Sequence, residues 1–343
     1  MLPLPEHYDP ERLADWSYAA DVEGLRAEAG RFAAAHAIPP AGEDRRRSLL
    51  LLVDLQRDFC LPAGALFVAG RSGDGAVADN RRLVEFLYRN LSAITETVVT
   101  LDSHLPHQIF FPAFWVDADG RPLQPHRTVS VEQIAAGEAR PRPGLAAWLS
   151  PAGEPWLREQ VEDYCRRLED QGRYSRYLWP PHCLLGSPGH CLAGVVEEAR
   201  LFHAFARGAE AAVEVKGTFP LTEHYSVLRP EVVLAHDGRL IGEGSEALVS
   251  RLLAADRVVV AGQAASHCVR STLEDLLELL QDRAPDRVER VWILEDCMSA
   301  VTVPDGAGGY AADFTEEARA ALERCREAGM NVVQSTLGMQ EWG

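Results

Sequence analysis

The sequence predicts an α/β protein, a parallel sheet covered by helices on both faces. Three observations carry that expectation. Short, wholly apolar runs such as residues 49–53 suit strands buried on both faces. The stretches between them place apolar residues at helical spacing, as at Val77, Leu83, Val84, Leu87 and Leu91. Strand and helix then alternate six times along the chain.

The elements follow in order. Residues 21–35 have helical spacing, and Pro39-Pro40 ends that helix. Residues 1–47 read as an N-terminal extension, and 48–343 as one domain. The first strand is 49–53, followed by a helix over 77–94 and a second strand at 98–101. After a long interval come a helix over 192–206 and a strand at 212–215. Helix 246–254 and strand 257–261 are next, then helix 269–280 and strand 291–294. Asp313, with Glu316 three residues on, resembles a capping box opening a helix that runs to Ala328 and is closed by Gly329. Val332-Val333 would be the last strand. The interval 112–177 is rich in Pro, Arg and charge, with helical spacing only around 159–171. It reads as an insertion decorating the main domain, serving to narrow a site or to contact another subunit.

Composition excludes several classes. A formal net charge of -17 argues against a nucleic-acid partner, which needs clustered Lys and Arg. The one basic run, Arg45-Arg46-Arg47, reads as a solvated flank. The apolar runs are too short to cross a bilayer, and the N-terminus lacks the pattern of a signal peptide. Seven scattered cysteines without Cys-x-x-Cys suggest reduced thiols, mostly buried, and hence a cytoplasmic setting.

Polar clusters at the strand ends carry the chemistry. The first strand runs into Asp54 and Asp58, the second into Asp102-Ser-His104, the third into Lys216-Gly217, and the fourth into the 262–268 segment ending in His267-Cys268. In open α/β sheets the binding crevice lies beyond the carboxyl ends of the strands. Singly, each residue has an ordinary reading. Asp58 is by default a turn or helix-cap residue, a lone Cys is more often a small buried hydrophobe, and a strand-end Lys usually reaches solvent. The segment 242–247 matches a loose dinucleotide fingerprint, but no buried strand precedes it.

Taken together, these segments resemble the isochorismatase-like/nicotinamidase cysteine hydrolases. The chain carries V-D-x-Q-x-D-F at 53–59, Lys216-Gly217 with Tyr225-Ser226 downstream, and G-x-A-x-x-x-C-V-R-x-T at 262–272. It also has D-x-H at 102–104 and W-P-x-H-C-x-x-G-x-P-G at 179–189. It departs from the nicotinamidase pattern in the insertion and in Ser266, where an acidic residue is common, so a diverged member is the nearest match.

The resemblance implies a three-layer α/β/α sandwich with strand order 3-2-1-4-5-6. It implies Cys268 as nucleophile, Asp54 as base and Lys216 completing the triad. The oxyanion hole would be the amides of Ala264 and Cys268, with a cis peptide at Gln263–Ala264. Asp102, His104 and His182 would hold a divalent metal (Zn, Mn or Fe), with His107 a possible fourth ligand. Phe59, Trp179 and Tyr225 would wall a flat aromatic pocket. The expected reaction is cleavage of a small amide such as nicotinamide through a thioester. The alternatives are a carbamoyl or ureido substrate, or a catalytically silent binding protein with the same fold. A homo-oligomer is expected. The start of the helix after Cys268 should favour a thiolate there, and Cys268 should then alkylate ahead of the six other thiols.

Overall fold

The structure, a computed structural model, describes residues 1–150, 152–172 and 176–342. Residues 151, 173–175 and 343, within the expected insertion and domain, lie outside them. Six parallel strands make the central sheet: β1 (Ser48–Val53), β2 (Glu96–Asp102), β3 (Ala211–Lys216), β4 (Arg257–Gly262), β5 (Val291–Leu294) and β6 (Asn331–Val333). Their order is β3-β2-β1-β4-β5-β6, the expected 3-2-1-4-5-6.

β1 lies at the centre, with Leu51 opposite Val98 of β2 and Val260 of β4. All six of its residues are buried, which is why its sequence is apolar without alternation. Its side chains alternate between two cores. Leu50 and Leu52 meet helices α2 (Gly75–Arg89) and α4 (Gly194–Arg207) through Val84, Leu87 and Phe202. Leu49, Leu51 and Val53 meet α5 (Glu246–Ala254) and α6 (Cys268–Arg283) through Leu248, Leu252 and Val269. Truncating any one of these leucines to Ala would cost about 2–5 kcal/mol.

The extension is fastened to the first of these cores. Asp21 caps α1 (Val22–Ala35) by accepting from the Gly24 amide, and Leu25 and Ala29 bury against α4. Arg207 of α4, fully buried, binds the Asp44 carboxylate at 2.6 Å and the Ile94 carbonyl at 3.3 Å. The 112–177 segment joins the same core. Two short antiparallel pairs (Trp115–Val116 with Arg140–Pro141, Arg127–Thr128 with Tyr177–Leu178) flank α3 (Gly153–Gln171), which buries Leu157, Val161, Tyr164 and Leu168.

Two local expectations are corrected. Helix α3 begins at Gly153 rather than at 159, because Trp156 and Leu157 already face the core. The capping box before α7 (Thr315–Glu327) does not form. Phe314 is the cap residue, Asp313 turns its carboxylate to the Thr315 amide at 3.0 Å and to Arg71 at 2.7 Å, and Glu316 also faces Arg71. Gly329, at φ +100, does close that helix. β3 is an edge strand, paired only with β2, and Val213 and Val215 on it are 46% and 54% exposed. Among the described residues no helix is long and apolar enough to cross a membrane.

Candidate active site

Each strand end delivers one polar group to a common point. Leaving β1, Asp54 adopts φ +48, and its amide donates to Thr100 Oγ1 on β2 at 3.0 Å. The Thr100 hydroxyl donates back to the Asp54 carboxylate, so β2 fixes the side chain from both ends. Gln56 repeats the device one step on. Its Oε1 accepts from the Asp102 amide and its Nε2 donates to the Asp102 carbonyl, both at 2.7 Å, so a side chain stands in for a strand neighbour.

Lys216 closes β3 and does not reach solvent. Its ammonium is buried 2.9 Å from Asp54 Oδ2, 3.0 Å from Asp102 Oδ1 and 3.6 Å from Cys268 Sγ, and it donates to the His224 carbonyl at 2.9 Å. The following Gly217 has φ +83, and a Cβ there would lie 2.8 Å from both Asp102 Oδ1 and His104 Cε1, so only glycine passes this point. Gly262 is as constrained. At φ +134 it presses on β1, and a Cβ would sit 2.1 Å from the Val53 carbonyl. The Gln263–Ala264 peptide is cis, as expected. The Gln263 side chain is held by Asp79 at 2.9 Å and by the Ser299 amide at 3.2 Å. Cys268 then opens α6, and its amide is one of the helix-start donors without an intrahelical acceptor.

The thiol of Cys268 and the carboxylates of Asp54 and Asp102 all lie within 4.8 Å of one another. Burial pushes the Lys216 ammonium down, but Asp102 and Asp54 outweigh it and hold the group charged. Burial resists ionisation of Asp102 as well, yet His104 and Lys216 keep its carboxyl well below the usual range. Asp54 is pushed up by burial against the pull of Lys216. Cys268 is pushed well up by burial, with Lys216 opposing.

Asp102, His104 and His182 form a second group of atoms within 4.8 Å of one another. Each imidazole is oriented from behind. His104 Nδ1 donates to the Gly217 carbonyl at 3.2 Å and His182 Nδ1 to the Pro180 carbonyl at 2.8 Å. Both Nε2 atoms then face Asp102 Oδ2, at 2.8 Å and 3.9 Å. Ring nitrogens steered by backbone carbonyls are the usual second layer of a metal site. Burial holds His182 down at about 4, leaving a neutral imidazole with a lone pair to offer. Asp54 and Asp102 share one lysine, so a divalent cation on Asp102 also suits the charge balance. The donor set fits such an ion. His107 stays outside the group, beside the Trp148 ring with centroids 6.0 Å apart.

Phe59, Trp179 and Tyr225 do line the pocket over Cys268, together with Ala264, His104 and His182; it encloses about 480 Å³, open solvent at its mouth included. Sequence reasoning missed Phe110, Glu223, His224 and His267 in its wall. Glu223 is the most consequential of these. Its carboxylate accepts from Tyr225 at 3.0 Å, from Tyr164 at 2.8 Å and from Arg176 at 3.4 Å, and Tyr225 in turn accepts from Trp179 at 3.0 Å. The 112–177 segment thus reaches the aromatic wall through a buried ion pair. Asp58 is not a cap. It is buried within the turn Arg57–Cys60, and its carboxylate accepts from the Cys183 amide at 2.7 Å and the Ala65 amide at 3.0 Å. It thereby ties the His182 loop to the end of β1.

By sequence, no family model and no curated protein matches the chain. By structure it is similar to a yeast nicotinamidase bound to the inhibitor nicotinaldehyde, with TM-score 0.51 and 17% identity over 84% of this chain and 99% of that one. An Acinetobacter baumanii nicotinamidase pyrazinamidase aligns at TM-score 0.48 and 18% identity, over 86% and 99% of the two chains. An N-carbamoylsarcosine amidase from Thermoplasma acidophilum aligns at 0.40 and 14%, over 85% and 99%. The first of these likenesses shows a shared fold.

Proposed function

We propose that the chain is a cysteine hydrolase of the isochorismatase-like type, cleaving the C–N bond of a small planar amide, with nicotinamide as the leading case. The observation that carries this reading is the Cys268 thiol beside the Asp54 carboxylate, with Lys216 between two carboxylates, under an aromatic wall. The fold shared with a nicotinamidase supports it.

In this reading Asp54 removes the proton from the resting thiol as the sulfur attacks the amide carbon. A carboxyl raised by burial is suited to that proton transfer. The C–S bond forms, and the oxyanion is met by the amides of Ala264 and Cys268. Protonated Asp54 gives its proton to the leaving nitrogen, ammonia departs, and a thioester to Cys268 remains. Asp54 then takes a proton from water as it attacks the thioester, and the acid and the free thiol are released. Lys216 stays protonated throughout and holds both carboxylates in place. A divalent cation on Asp102, His104 and His182 would offer open positions to a ring nitrogen of the substrate.

Ammonia release from a panel of small amides, with Cys268→Ala run in parallel, tests the proposal. Turnover of an aromatic amide that disappears in the variant supports it. Turnover confined to carbamoyl or ureido compounds moves the substrate to the second reading. Absence of any turnover leaves a binding protein and overturns the hydrolase.

A further inference from the structure

A cluster of positive charge lies at the opposite end of the sheet. The protein carries a formal net charge of -17, yet Arg45, Arg46, Arg257 and Arg290 line one open hollow together with Trp292. Arg45 and Arg46 precede β1, Arg257 begins β4, and Arg290 directly precedes β5. These are the amino-terminal ends of the strands, whereas Asp54, Asp102, Lys216 and Cys268 gather at the carboxyl ends. The hollow therefore plays no part in the chemistry described above.

Arg257 is the telling residue. It is 6% exposed, and its guanidinium donates to the Met339 carbonyl at 3.2 Å. The guanidinium also lies 5.5 Å from the ring centre of Trp292 and 5.3 Å from that of Trp342. No carboxylate lies in ion-pair reach of it among the described residues, and the charge of Arg46 repels it. Buried charges in proteins are as a rule paired, because an unpaired one loses its hydration without return. Ring faces compensate a guanidinium only in part. Two acids, Asp256 and Glu289, also border the hollow, and the Asp256 carboxylate is already engaged by the Arg47 amide at 2.9 Å. Asp286 stands 3.9 Å from Arg290, so four guanidiniums face three carboxylates, a local excess of positive charge on an otherwise acidic protein.

We infer that this hollow is a second binding site, built for the diphosphate group of a small phosphate-bearing molecule. Guanidinium forks match phosphate oxygens two at a time, and four of them around one concavity match a polyanion better than a monocarboxylate. The hollow encloses about 1220 Å³, open solvent included, which accommodates a nucleoside diphosphate as readily as inorganic pyrophosphate. A nucleic-acid polymer does not suit it, because a protein of net charge -17 would repel an extended phosphate backbone.

The test uses the full chain, with pyrophosphate and adenosine diphosphate titrated separately by calorimetry at ionic strength fixed with sodium chloride. Intrinsic tryptophan fluorescence gives a second readout. Saturable binding of either probe with a Kd at or below about 1 mM is expected. Arg46→Gln with Arg290→Gln, two substitutions at the rim, should weaken it by about tenfold or more, the loss of one charge-assisted contact being enough for that. Tighter binding of adenosine diphosphate would identify an organic ligand, and equal binding would identify the inorganic anion; both uphold the site. No saturable binding of either probe, or binding unchanged in the double variant, would overturn it and leave Arg257 as a clamp for the Met339–Trp342 segment.

Discussion

Lys216 sits 2.9 Å from Asp54 and 3.0 Å from Asp102, so a single buried ammonium serves both the carboxylate proposed as base and the carboxylate of the Asp102–His104–His182 cluster. Removing it strands two charges at once. Lys216→Met should lower stability by about 3–5 kcal/mol, the usual cost of breaking a buried pair, and abolish turnover. Urea unfolding measures the first and ammonia release the second. A variant as stable as wild type would mean that the carboxylates find another partner.

The Asp102, His104 and His182 group predicts retained metal. Purified protein should hold about one divalent ion per chain by plasma emission, as a single three-ligand site implies. His104→Ala should lose it, and a chelator should remove it from wild type with a parallel loss of binding for ring-nitrogen ligands. Equal metal content in wild type and variant would show that the ion sits elsewhere.

Arg176 and Glu223 are both almost fully buried and lie 3.4 Å apart, one from the 112–177 segment and one in the pocket wall. Arg176→Met alone should cost about 3–5 kcal/mol by leaving the Glu223 charge unpaired, and adding Glu223→Gln should restore most of it. Because Glu223 positions Tyr225 and Trp179, Arg176→Met should raise KM for an aromatic amide more than it lowers kcat. Simple additivity of the two substitutions would refute the coupling.

His203 carries the pH prediction. It is fully buried with Nε2 2.9 Å from the Ile94 carbonyl, and burial holds its pKa down at about 4, against an ordinary 6.5. The folded form keeps the ring neutral where the unfolded chain takes up a proton. Its contribution is therefore complete above pH 6.5 and is lost as pH falls from there towards 4, by about 3 kcal/mol in all. His203→Gln should flatten that part of the stability profile in urea titrations. An unchanged slope would assign the acid sensitivity to other groups.

Thiol labelling should reverse the order expected from sequence. Cys191 is exposed, while the other six cysteines, Cys268 included, are buried. Iodoacetamide on the native protein should modify Cys191 first, and peptide mapping reads the order. Cys268 labelled ahead of Cys191 would mean that the pocket stabilises a thiolate after all.

The strand ends made much of the site legible. Asp54, Asp102, Lys216 and Cys268 each stand at the end of a strand or in the turn after one, and parallel topology brings such ends together. The wall was less legible. Glu223 lies in a segment without periodicity, and its partners Tyr164 and Arg176 are 59 and 47 residues away. Nothing local signals that pairing. Asp58 does lie in a turn, as expected, but its contact with Cys183 spans 125 residues and carries no local signal. At Asp313 the local pattern was present, but Arg71, from a distant loop, took the carboxylate.

The position of Lys216 at the end of an edge strand has one further consequence. β3 has a neighbour on one side only, and edge segments with exposed side chains detach at lower free energy than central ones. Fraying of β3 from β2 would withdraw the ammonium while β1, β2 and β4 remain in register. Such fraying would leave a compact form that lacks the ammonium, and heating should populate it before the whole molecule melts. Thermal inactivation below the unfolding midpoint, reversible on cooling, would be the signature of that partial opening.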